Sequence, residues 1–292
     1  MEINGREIAS QILDELKTRV QNLKEKGITP TLQIILVGEN PGSESYVKQK
    51  KVKGQEIGVN VNVLNIASDV TTEELISTIS KFNNDISVHG IIVQRPLPPQ
   101  IDSEKIDNAV IPTKDIDGFN QESKFQLPLG TAVVKILENV FELRSKVVII
   151  DPKKSPNRNL FHSWLQSNSI VIVGKGTTGG LPVIRTLRKI DYYLDEENII
   201  DSNTRNKTKI TKKADVIISA VGKPNIIKPE MIKKGAILIS IGLFKGPDGK
   251  MHGDYDEKSI KNIASFYTPT PGGVGPVNVA MLLKNLVETA AE

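Results

Sequence analysis

Apolar residues in the first half of the chain alternate between helical and extended spacing. Helical spacing runs from Ile8 to Val20, and a helix there would end at Gly27. Short apolar runs predict strands at 31–37, 59–66 and 89–93, and helices are predicted at 43–57, 71–82 and 102–108. Strands that alternate with helices in this way predict a parallel sheet covered by helices.

The second half repeats the alternation. Helices are predicted at 131–140, 181–190, 229–234 and 277–291, and strands at 147–150, 170–173, 198–200, 216–220, 236–241 and 264–267. Segment 151–168 is the least regular part of the chain. This order of elements predicts a doubly wound sheet.

Length and element order together predict an α/β protein of two domains, because 292 residues are many for one core. We expect an N-terminal α/β domain at 1–128, completed by a C-terminal helix at 276–292. A Rossmann-like, doubly wound dinucleotide-binding domain should occupy 129–275, with an unusual insertion around 143–168. A cleft is expected between the two domains.

Composition narrows the classes of function. The chain is 38% hydrophobic and 25% charged, as soluble globular proteins are. A net charge of +4, without a long basic block, argues against nucleic acid as a partner. With no cysteine there is no thiol nucleophile and no cysteine-ligated metal, and we predict no metal site. No apolar run reaches the ~18 residues of a membrane span and no signal peptide is recognisable, so we expect a cytoplasmic protein that does not bind membranes.

The run Tyr267-Thr-Pro-Thr-Pro-Gly-Gly-Val-Gly-Pro276 stands out near the C-terminus. Its three prolines and three glycines exclude a helix or a central strand. A rigid loop between a strand and a helix offers its backbone N–H and C=O groups to a ligand. The pattern fits a stiff turn without a ligand equally well.

A second glycine-rich segment follows the predicted strand 170–173. Gly174, Gly176 and Gly179 satisfy G-x-G-x-x-G between a strand and a helix. Glycines there let a pyrophosphate approach the backbone at the helix N-terminus. The alternative is a glycine-rich turn that binds nothing.

The next predicted strand leaves the choice between NAD and NADP open. Asp201 at its end would accept hydrogen bonds from an unmodified ribose, whereas Lys175, Ser202 and Arg205 would receive a 2′-phosphate.

Four residues of the first domain are candidates for catalysis. Tyr46 and Lys50 are four apart on one predicted helix and therefore share a face, although the many lysines there also fit a solvated basic helix. Gln94 follows a predicted strand, where ligands of α/β sheets collect, but would also fit a loop amide. Asp117 lies in an acidic loop that simple turn chemistry also explains.

Four segments of the chain, in this order and spacing, resemble the bifunctional methylenetetrahydrofolate dehydrogenase/cyclohydrolase family. They are Tyr46-Val-Lys-Gln-Lys50, Gly90-Ile-Ile-Val-Gln-Arg-Pro-Leu-Pro98, Pro112-Thr-Lys-Asp-Ile-Asp-Gly-Phe119 and Thr268-Pro-Thr-Pro-Gly-Gly-Val-Gly-Pro276. The resemblance covers nearly the whole chain outside about 143–168.

The resemblance implies two reactions of one-carbon metabolism, which serves purine biosynthesis. NADP⁺ takes a hydride from 5,10-methylenetetrahydrofolate, and the methenyl cation is hydrolysed to 10-formyltetrahydrofolate. Tyr46 then orients the folate and Lys50 shuttles protons. Gln94 hydrogen-bonds the lysine, and Asp117 holds the amino edge of the pterin. A homodimer through the cofactor domain is also implied.

The resemblance further implies two sets of contact residues. Substrate contacts are expected from Ser43, Tyr46, Val93, Gln94, the Pro96-Leu97 pair behind Arg95, Asp117, Pro271, Gly272 and Gly273. Cofactor contacts are expected from Gly174, Lys175, Gly176, Thr177, Gly179, Gly180, Pro182, Asp201, Ser202, Thr204, Ala220, Val221, Gly222, Gly242, Thr270, Gly273 and Gly275.

Departures from the family pattern cluster in the cofactor half. Gly-Arg-Ser of the family is Gly174-Lys-Gly176 here, and His-Ser-x-Thr is Asp201-Ser-Asn-Thr204. Lysine lacks the planar fork of arginine, and the aspartate would repel a 2′-phosphate. Three alternatives therefore stay open: a cyclohydrolase with weak or NAD-dependent dehydrogenase activity, a catalytically silent folate- or nucleotide-binding regulator, and an unrelated dehydrogenase of the shikimate type.

Overall fold

A computed structural model describes residues 1–146 and 157–292, so the strand expected at 147–150 lies outside the described residues. The chain forms two compact units. The first unit consists of Ala9–Pro128 and Val279–Glu292, and the second consists of Met1–Ile8 and Leu129–Asn278.

The division differs from the predicted boundaries at the N-terminus, where the first eight residues belong to the second unit. Backbone hydrogen bonds explain this placement. The Ile3 amide donates to the Tyr267 carbonyl at 2.8 Å, and the Tyr267 amide donates to the Met1 carbonyl at 3.0 Å.

Three parallel strands form the sheet of the first unit, in the order β2-β1-β3. Every residue of the central strand is buried, which suits a strand covered by helices on both faces. The predicted capping box is confirmed, since Thr71 and Glu74 exchange hydrogen bonds at the start of a helix. The elements up to residue 109 are α1 (Gly5–Glu25), β1 (Thr31–Val37), α2 (Pro41–Glu56), β2 (Asn60–Ile66), α3 (Thr72–Asn84), β3 (Gly90–Val93) and α4 (Ser103–Ala109).

The remaining elements contribute mainly to the second unit, whose parallel sheet has the order β10-β7-β6-β4-β5. A small antiparallel hairpin pairs β8 with β9. The elements are α5 (Pro128–Ser145), α6 (Asn157–Gln166), β4 (Ile170–Val173), α7 (Gly180–Lys189), β5 (Ile199–Ile200), α8 (Lys207–Thr211), β6 (Val216–Ser219), β7 (Ile237–Ser240), β8 (Phe244–Lys245), β9 (Met251–His252), α9 (Glu257–Ile260), β10 (Phe266–Tyr267) and α10 (Val274–Ala290).

Three sequence predictions need correction. The helix expected at 229–234 is only a 3₁₀ turn at Pro229–Met231. Helix α10 begins at Val274, so the end of the Pro/Gly run is helical; Pro276 is tolerated because the first turn leaves its amides without intrahelical partners. The irregular segment 151–168 contains α6, which buries Phe161 against Phe141 at a ring distance of 5.8 Å.

Candidate active site

The first candidate site lies at the carboxyl ends of β1 and β3. Because β2 and β3 flank β1 on opposite sides, this edge is where ligands of an open α/β sheet collect. Helix α2 starts just after β1, where the Asn40 side chain accepts from the Ser43 amide at 3.0 Å. Gln94 follows β3, and its backbone amide donates to the Ile35 carbonyl at 2.9 Å.

Lys50 is buried, unlike its neighbours on α2. Its exposed fraction is only 7%, whereas Lys48 and Lys51 are exposed, so the solvated-helix interpretation fails for this lysine. The Lys50 Nζ donates to the Gln94 Oε1 at 2.9 Å. The Gln94 Nε2 donates to the Arg95 carbonyl at 2.9 Å, which directs the oxygen of the amide towards the lysine.

Asp117 shares the electrostatic environment of Lys50. Burial raises the pKa of Asp117, and the charges of Lys50 and Arg95 oppose that rise. Burial also lowers the pKa of Lys50, and the Asp117 carboxylate opposes that decrease. The structure therefore brings Lys50, Gln94 and Asp117 into one charged cluster.

Arg95 organises the neighbourhood of this cluster, although sequence reasoning gave its side chain no part. Its guanidinium forms an ion pair with Asp107 and lies 5.0 Å from the centre of the Phe119 ring. Its backbone carbonyl accepts from the Ser43 hydroxyl at 3.1 Å and from Gln94. One backbone carbonyl thus ties α2 to the end of β3.

The loop that carries Asp117 is held by Asp115, a second residue that sequence reasoning missed. The buried Asp115 carboxylate accepts from the Gly118 amide at 3.0 Å and from the Asn120 amide at 2.8 Å. Burial raises the pKa of Asp115 to about 7. Asn285 on α10 donates to the Ile116 carbonyl at 2.9 Å and so anchors the loop from the opposite side.

The other expected substrate contacts of this unit differ in exposure. Tyr46 precedes Lys50 by one turn of α2 and is half-buried, and burial raises the pKa of its phenol. Val93 is buried at the end of β3 and Pro96 is exposed. Leu97 is half-buried and packs against the apolar cluster beside the sheet.

The second candidate site lies at the carboxyl end of β4. In the strand order β10-β7-β6-β4-β5, β5 is added on one side of β4 and β6 on the other. Such a switch point opens a crevice for a ligand. Gly174 has φ +93° and leads into the turn before α7. A Cβ on Gly180 would lie 1.8 Å from the Gly174 carbonyl oxygen, so this turn tolerates only glycine.

The turn leaves room for an anion. A Cβ placed on Gly176 would meet no atom within 4 Å, so no protein atom fills the space beside this glycine. Helix α7 begins after Gly179 without a side-chain cap; the Leu181 amide donates to the Gly176 carbonyl at 3.1 Å, and the positive end of the helix dipole faces the space where a phosphate group would bind. Both features fit the pyrophosphate of a dinucleotide.

Lys175 and Asp201, expected to serve different cofactors, form an ion pair. The Lys175 Nζ lies 2.7 Å from the Asp201 Oδ2. The Asn203 amide donates to Oδ1 of the same carboxylate at 2.9 Å. These donors lower the pKa of Asp201 to about 2, whereas Ser202 and Arg205 are exposed.

Asp254 fixes the loop that follows β6 and lies close to Gly242 after β7, a role that sequence reasoning did not assign. This fully buried carboxylate accepts from the Ser219 hydroxyl at 2.7 Å and from the amides of Val221 and Gly222 at 2.9 and 2.7 Å. A Cβ on Gly242 would lie 2.4 Å from it. Ala220 packs beside the glycine turn, since a Cβ placed on Gly179 would lie 3.1 Å from the Cβ of Ala220.

The Pro/Gly loop follows β10 at the same edge of the second sheet. The Thr270 amide donates to the Glu257 carboxylate at 2.7 Å. Pro271, Gly272 and Gly273, expected to contact substrate, belong to the second unit together with the expected cofactor residues. The other expected cofactor residues are distributed over the turn and the following loops: Thr177 is exposed, Thr204 is half-buried and Pro182 is buried in α7.

Comparison with protein families gives two matches that together span most of the chain. Residues 3–117 match the catalytic domain of tetrahydrofolate dehydrogenase/cyclohydrolase, and residues 160–292 match the NAD(P)-binding domain of the same family. The chain belongs to the tetrahydrofolate dehydrogenase/cyclohydrolase family. The predicted family and the predicted α/β fold are thus confirmed.

Relatives of this family match along nearly their whole length. The bifunctional protein FolD of Oceanobacillus iheyensis is 37% identical over 292 residues, which cover 99% of this chain and 96% of the relative. The FolD crystal structure from Campylobacter jejuni has a TM-score of 0.86 at 32% identity, covering 100% and 98% of the two chains. The Trypanosoma brucei enzyme, complexed with NADP cofactor and inhibitor, has a TM-score of 0.82 at 29% identity, covering 100% and 97%.

Membership of the dehydrogenase/cyclohydrolase family removes the shikimate-type alternative and makes the protein an enzyme with an NAD(P)-binding domain. Within residues 1–146 and 157–292, no helix has the length and apolar character to cross a membrane. The same residues contain no cluster of three or more acidic or histidine side chains suited to a metal ion.

Proposed function

We propose that this protein oxidises 5,10-methylenetetrahydrofolate to the methenyl form with a nicotinamide dinucleotide and hydrolyses the methenyl form to 10-formyltetrahydrofolate. NADP⁺ is the acceptor that the family resemblance implies. The observation that carries the proposal is the buried Lys50 amine. It is hydrogen-bonded to Gln94, and the charge of the Asp117 carboxylate acts on it.

Hydrolysis needs a base that can also return a proton. Water adds to the methenyl carbon of the substrate, and its proton passes to the neutral Lys50 Nζ. The bond between that carbon and N5 of the folate then breaks, and the ammonium of Lys50 delivers the proton to N5. The remaining hydroxyl proton passes to solvent as the C=O bond of the formyl group forms. Burial lowers the pKa of Lys50, which makes the neutral amine accessible nearer to physiological pH.

A glutamine suits this lysine better than a carboxylate does. The Gln94 oxygen orients the amine through one hydrogen bond without adding a negative charge. A carboxylate at the same place would stabilise the ammonium form and raise the pKa of Lys50. The cationic substrate would lower that pKa further, because like charges disfavour protonation.

Asp117 is the proposed contact for the amino edge of the pterin, because an ionised carboxylate accepts hydrogen bonds from an amino group and a ring N–H. Burial disfavours the ionised form, and the charges of Lys50 and Arg95 favour it. Tyr46, one turn before Lys50, would pack against the ring system.

Hydride transfer makes fewer demands on side chains. A nicotinamide, when bound, would supply the acceptor for the hydride of the folate methylene carbon. The protein contributes position, through the glycine turn and the α7 N-terminus at one end of the dinucleotide. Asp254 would keep the loop after β6 in place for the rest of the dinucleotide.

Replacing Lys50 with methionine tests the proposal. Methionine fills similar volume without an amine, so Lys50→Met should reduce methenyl hydrolysis at least a hundredfold while hydride transfer partly survives. The matched control is Lys51→Met, because Lys51 is exposed on the same helix and should leave both activities unchanged. Undiminished hydrolysis in Lys50→Met would contradict the assignment of the base.

Assembly and location are also part of the proposal. A homodimer through the second unit, a cytoplasmic site of action and a supply of formyl groups for purine synthesis rest on the family resemblance. Light scattering during gel filtration tests the dimer, and a mass equal to one chain of 32.1 kDa would contradict it.

A further inference from the structure

Asp201 occupies a particular place beside the glycine turn. Strand β5 pairs in parallel with β4, with Ile200 opposite Val173. The Gly174 amide donates to the Ile200 carbonyl at 2.7 Å, so Asp201 emerges from the sheet next to the start of the turn. Lys175, within the turn, reaches across to its carboxylate at 2.7 Å.

In doubly wound sheets, this position meets the adenosine ribose of a bound dinucleotide. A carboxylate there accepts hydrogen bonds from the ribose hydroxyls of NAD, whereas an arginine nearby accommodates the 2′-phosphate of NADP. This chain has the carboxylate, and its low pKa, about 2, keeps it ionised at neutral pH.

The hydrogen bonds of Asp201 leave capacity for a ligand. Oδ2 accepts from Lys175, and Oδ1 accepts from the Asn203 amide at 2.9 Å and weakly from the Thr204 hydroxyl at 3.3 Å. A carboxylate offers about four acceptor positions, so a ribose hydroxyl can still donate to it. Lys175 holds the carboxylate in place while the hydroxyl binds.

A 2′-phosphate would find less favourable partners. The cation of Lys175 is already paired with Asp201, whose hydrogen bond and charge raise the pKa of this lysine, and the charge of Glu196 adds to that rise. Lys207 donates to the Ser202 carbonyl at 2.9 Å, and the exposed Arg205 would have to bind the phosphate beside the Asp201 carboxylate, which repels it. A phosphate would have to displace Asp201 from Lys175 and then remain beside an unpaired carboxylate.

We propose that Asp201, positioned by Lys175, selects NAD⁺ over NADP⁺ as the hydride acceptor of this enzyme. The inference rests on the proposed dehydrogenase function and specifies its cofactor. It reverses the preference that the resemblance alone implies, because the family residues at these two positions are the ones that this chain replaces.

The test compares kcat/KM for NAD⁺ and NADP⁺ in methylenetetrahydrofolate oxidation. The wild-type protein should favour NAD⁺ at least tenfold, and Asp201→Ser should reduce that ratio at least tenfold. Asp201→Asn, which keeps the shape, should shift the ratio in the same direction. Glu230→Gln removes an exposed carboxylate that precedes β7 and belongs neither to the glycine turn nor to the loop after β5, so it should keep the wild-type ratio.

Two further measurements separate this inference from the proposed function. Methenyl hydrolysis, which needs no dinucleotide, reports whether each variant is folded. Fluorescence titration with NADH and NADPH measures binding without turnover. Tighter binding of NADH without any hydride transfer would support the selection by Asp201 and contradict the dehydrogenase function. Equal or better use of NADP⁺ by the wild type, or an unchanged ratio in both Asp201 variants, would overturn the inference.

Discussion

The amine of Lys50 and the side-chain oxygen of Gln94 lie 2.9 Å apart, although the two residues are 44 positions apart in the chain. The glutamine cannot rotate freely, because its nitrogen donates to the Arg95 carbonyl. The lysine therefore meets an oriented, uncharged acceptor inside a buried site. The strength of the base can be changed from either side of this pair.

Replacing Gln94 with glutamate should weaken the base. The new carboxylate stabilises the ammonium form, so the pKa of Lys50 rises and the neutral amine becomes scarce near neutral pH. We expect methenyl hydrolysis to fall at least tenfold near neutral pH and to recover at higher pH. A pH–rate profile measures this shift, with the exposed Gln100→Glu as control. An unchanged profile would show that Lys50 does not set the rate.

Replacing Asp117 with asparagine should shift the same profile in the opposite direction. The Asp117 carboxylate raises the pKa of Lys50, so its removal lowers that pKa and hydrolysis should begin at lower pH. The KM for folate should also rise about tenfold in both reactions, because the pterin loses an ionic acceptor. The exposed Asp69→Asn is the control. Unchanged folate KM values in both reactions would exclude a pterin contact.

Asp115 should make stability depend on pH. Its pKa is about 7 in the folded protein against an ordinary 3.8, so protonation favours the folded state. The stabilisation is complete below about pH 4 and is lost as pH rises through about 7, by on the order of 4 kcal/mol at most. Urea unfolding of Asp115→Asn at several pH values should show a flatter dependence than the wild type. Parallel curves for the two proteins would contradict this assignment.

Removing the Asn285 side chain should loosen the loop that carries Asp117. Its nitrogen donates to the Ile116 carbonyl at 2.9 Å in a buried environment. Asn285→Ala leaves that carbonyl without its donor and should cost about 1–3 kcal/mol in the free energy of unfolding. Folate KM should rise as well, whereas Lys284→Ala on the same helix should change stability by less than ~0.5 kcal/mol. A change in stability without any change in KM would confine Asn285 to a structural role.

Most strands of the two parallel sheets were predictable from sequence, including the two-residue strands β5 and β10, whereas the hairpin β8-β9 was not. Strand β1 and the capping box of α3 appear where pattern and chemistry placed them. Strands β8 and β9 have two residues each, too few to show a period, and they form only because the hairpin brings them together. Helix α6 did carry a signal, since Phe161, Trp164 and Leu165 follow helical spacing.

The site was predictable in its residue types and only partly in its contacts. Ser43, Val47, Lys50 and Gly54 are the buried positions of α2, and their helical spacing distinguishes Lys50 from its exposed neighbours. Sequence gave no such signal for Asp254, whose importance comes from four hydrogen bonds to residues more than 30 positions away. Likewise, only the folded turn shows that Lys175 and Asp201 neutralise each other.

The first eight residues and the last fourteen belong to different units from the segments that follow and precede them. Consequently, neither unit can be produced as one continuous segment of the chain. A truncation that begins at Leu129 loses the backbone hydrogen bond between Ile3 and Tyr267 and retains Val279–Glu292, which includes most of α10 and belongs to the first unit. Isolating the nucleotide-binding half therefore calls for a circular permutation or a two-fragment co-expression rather than a deletion.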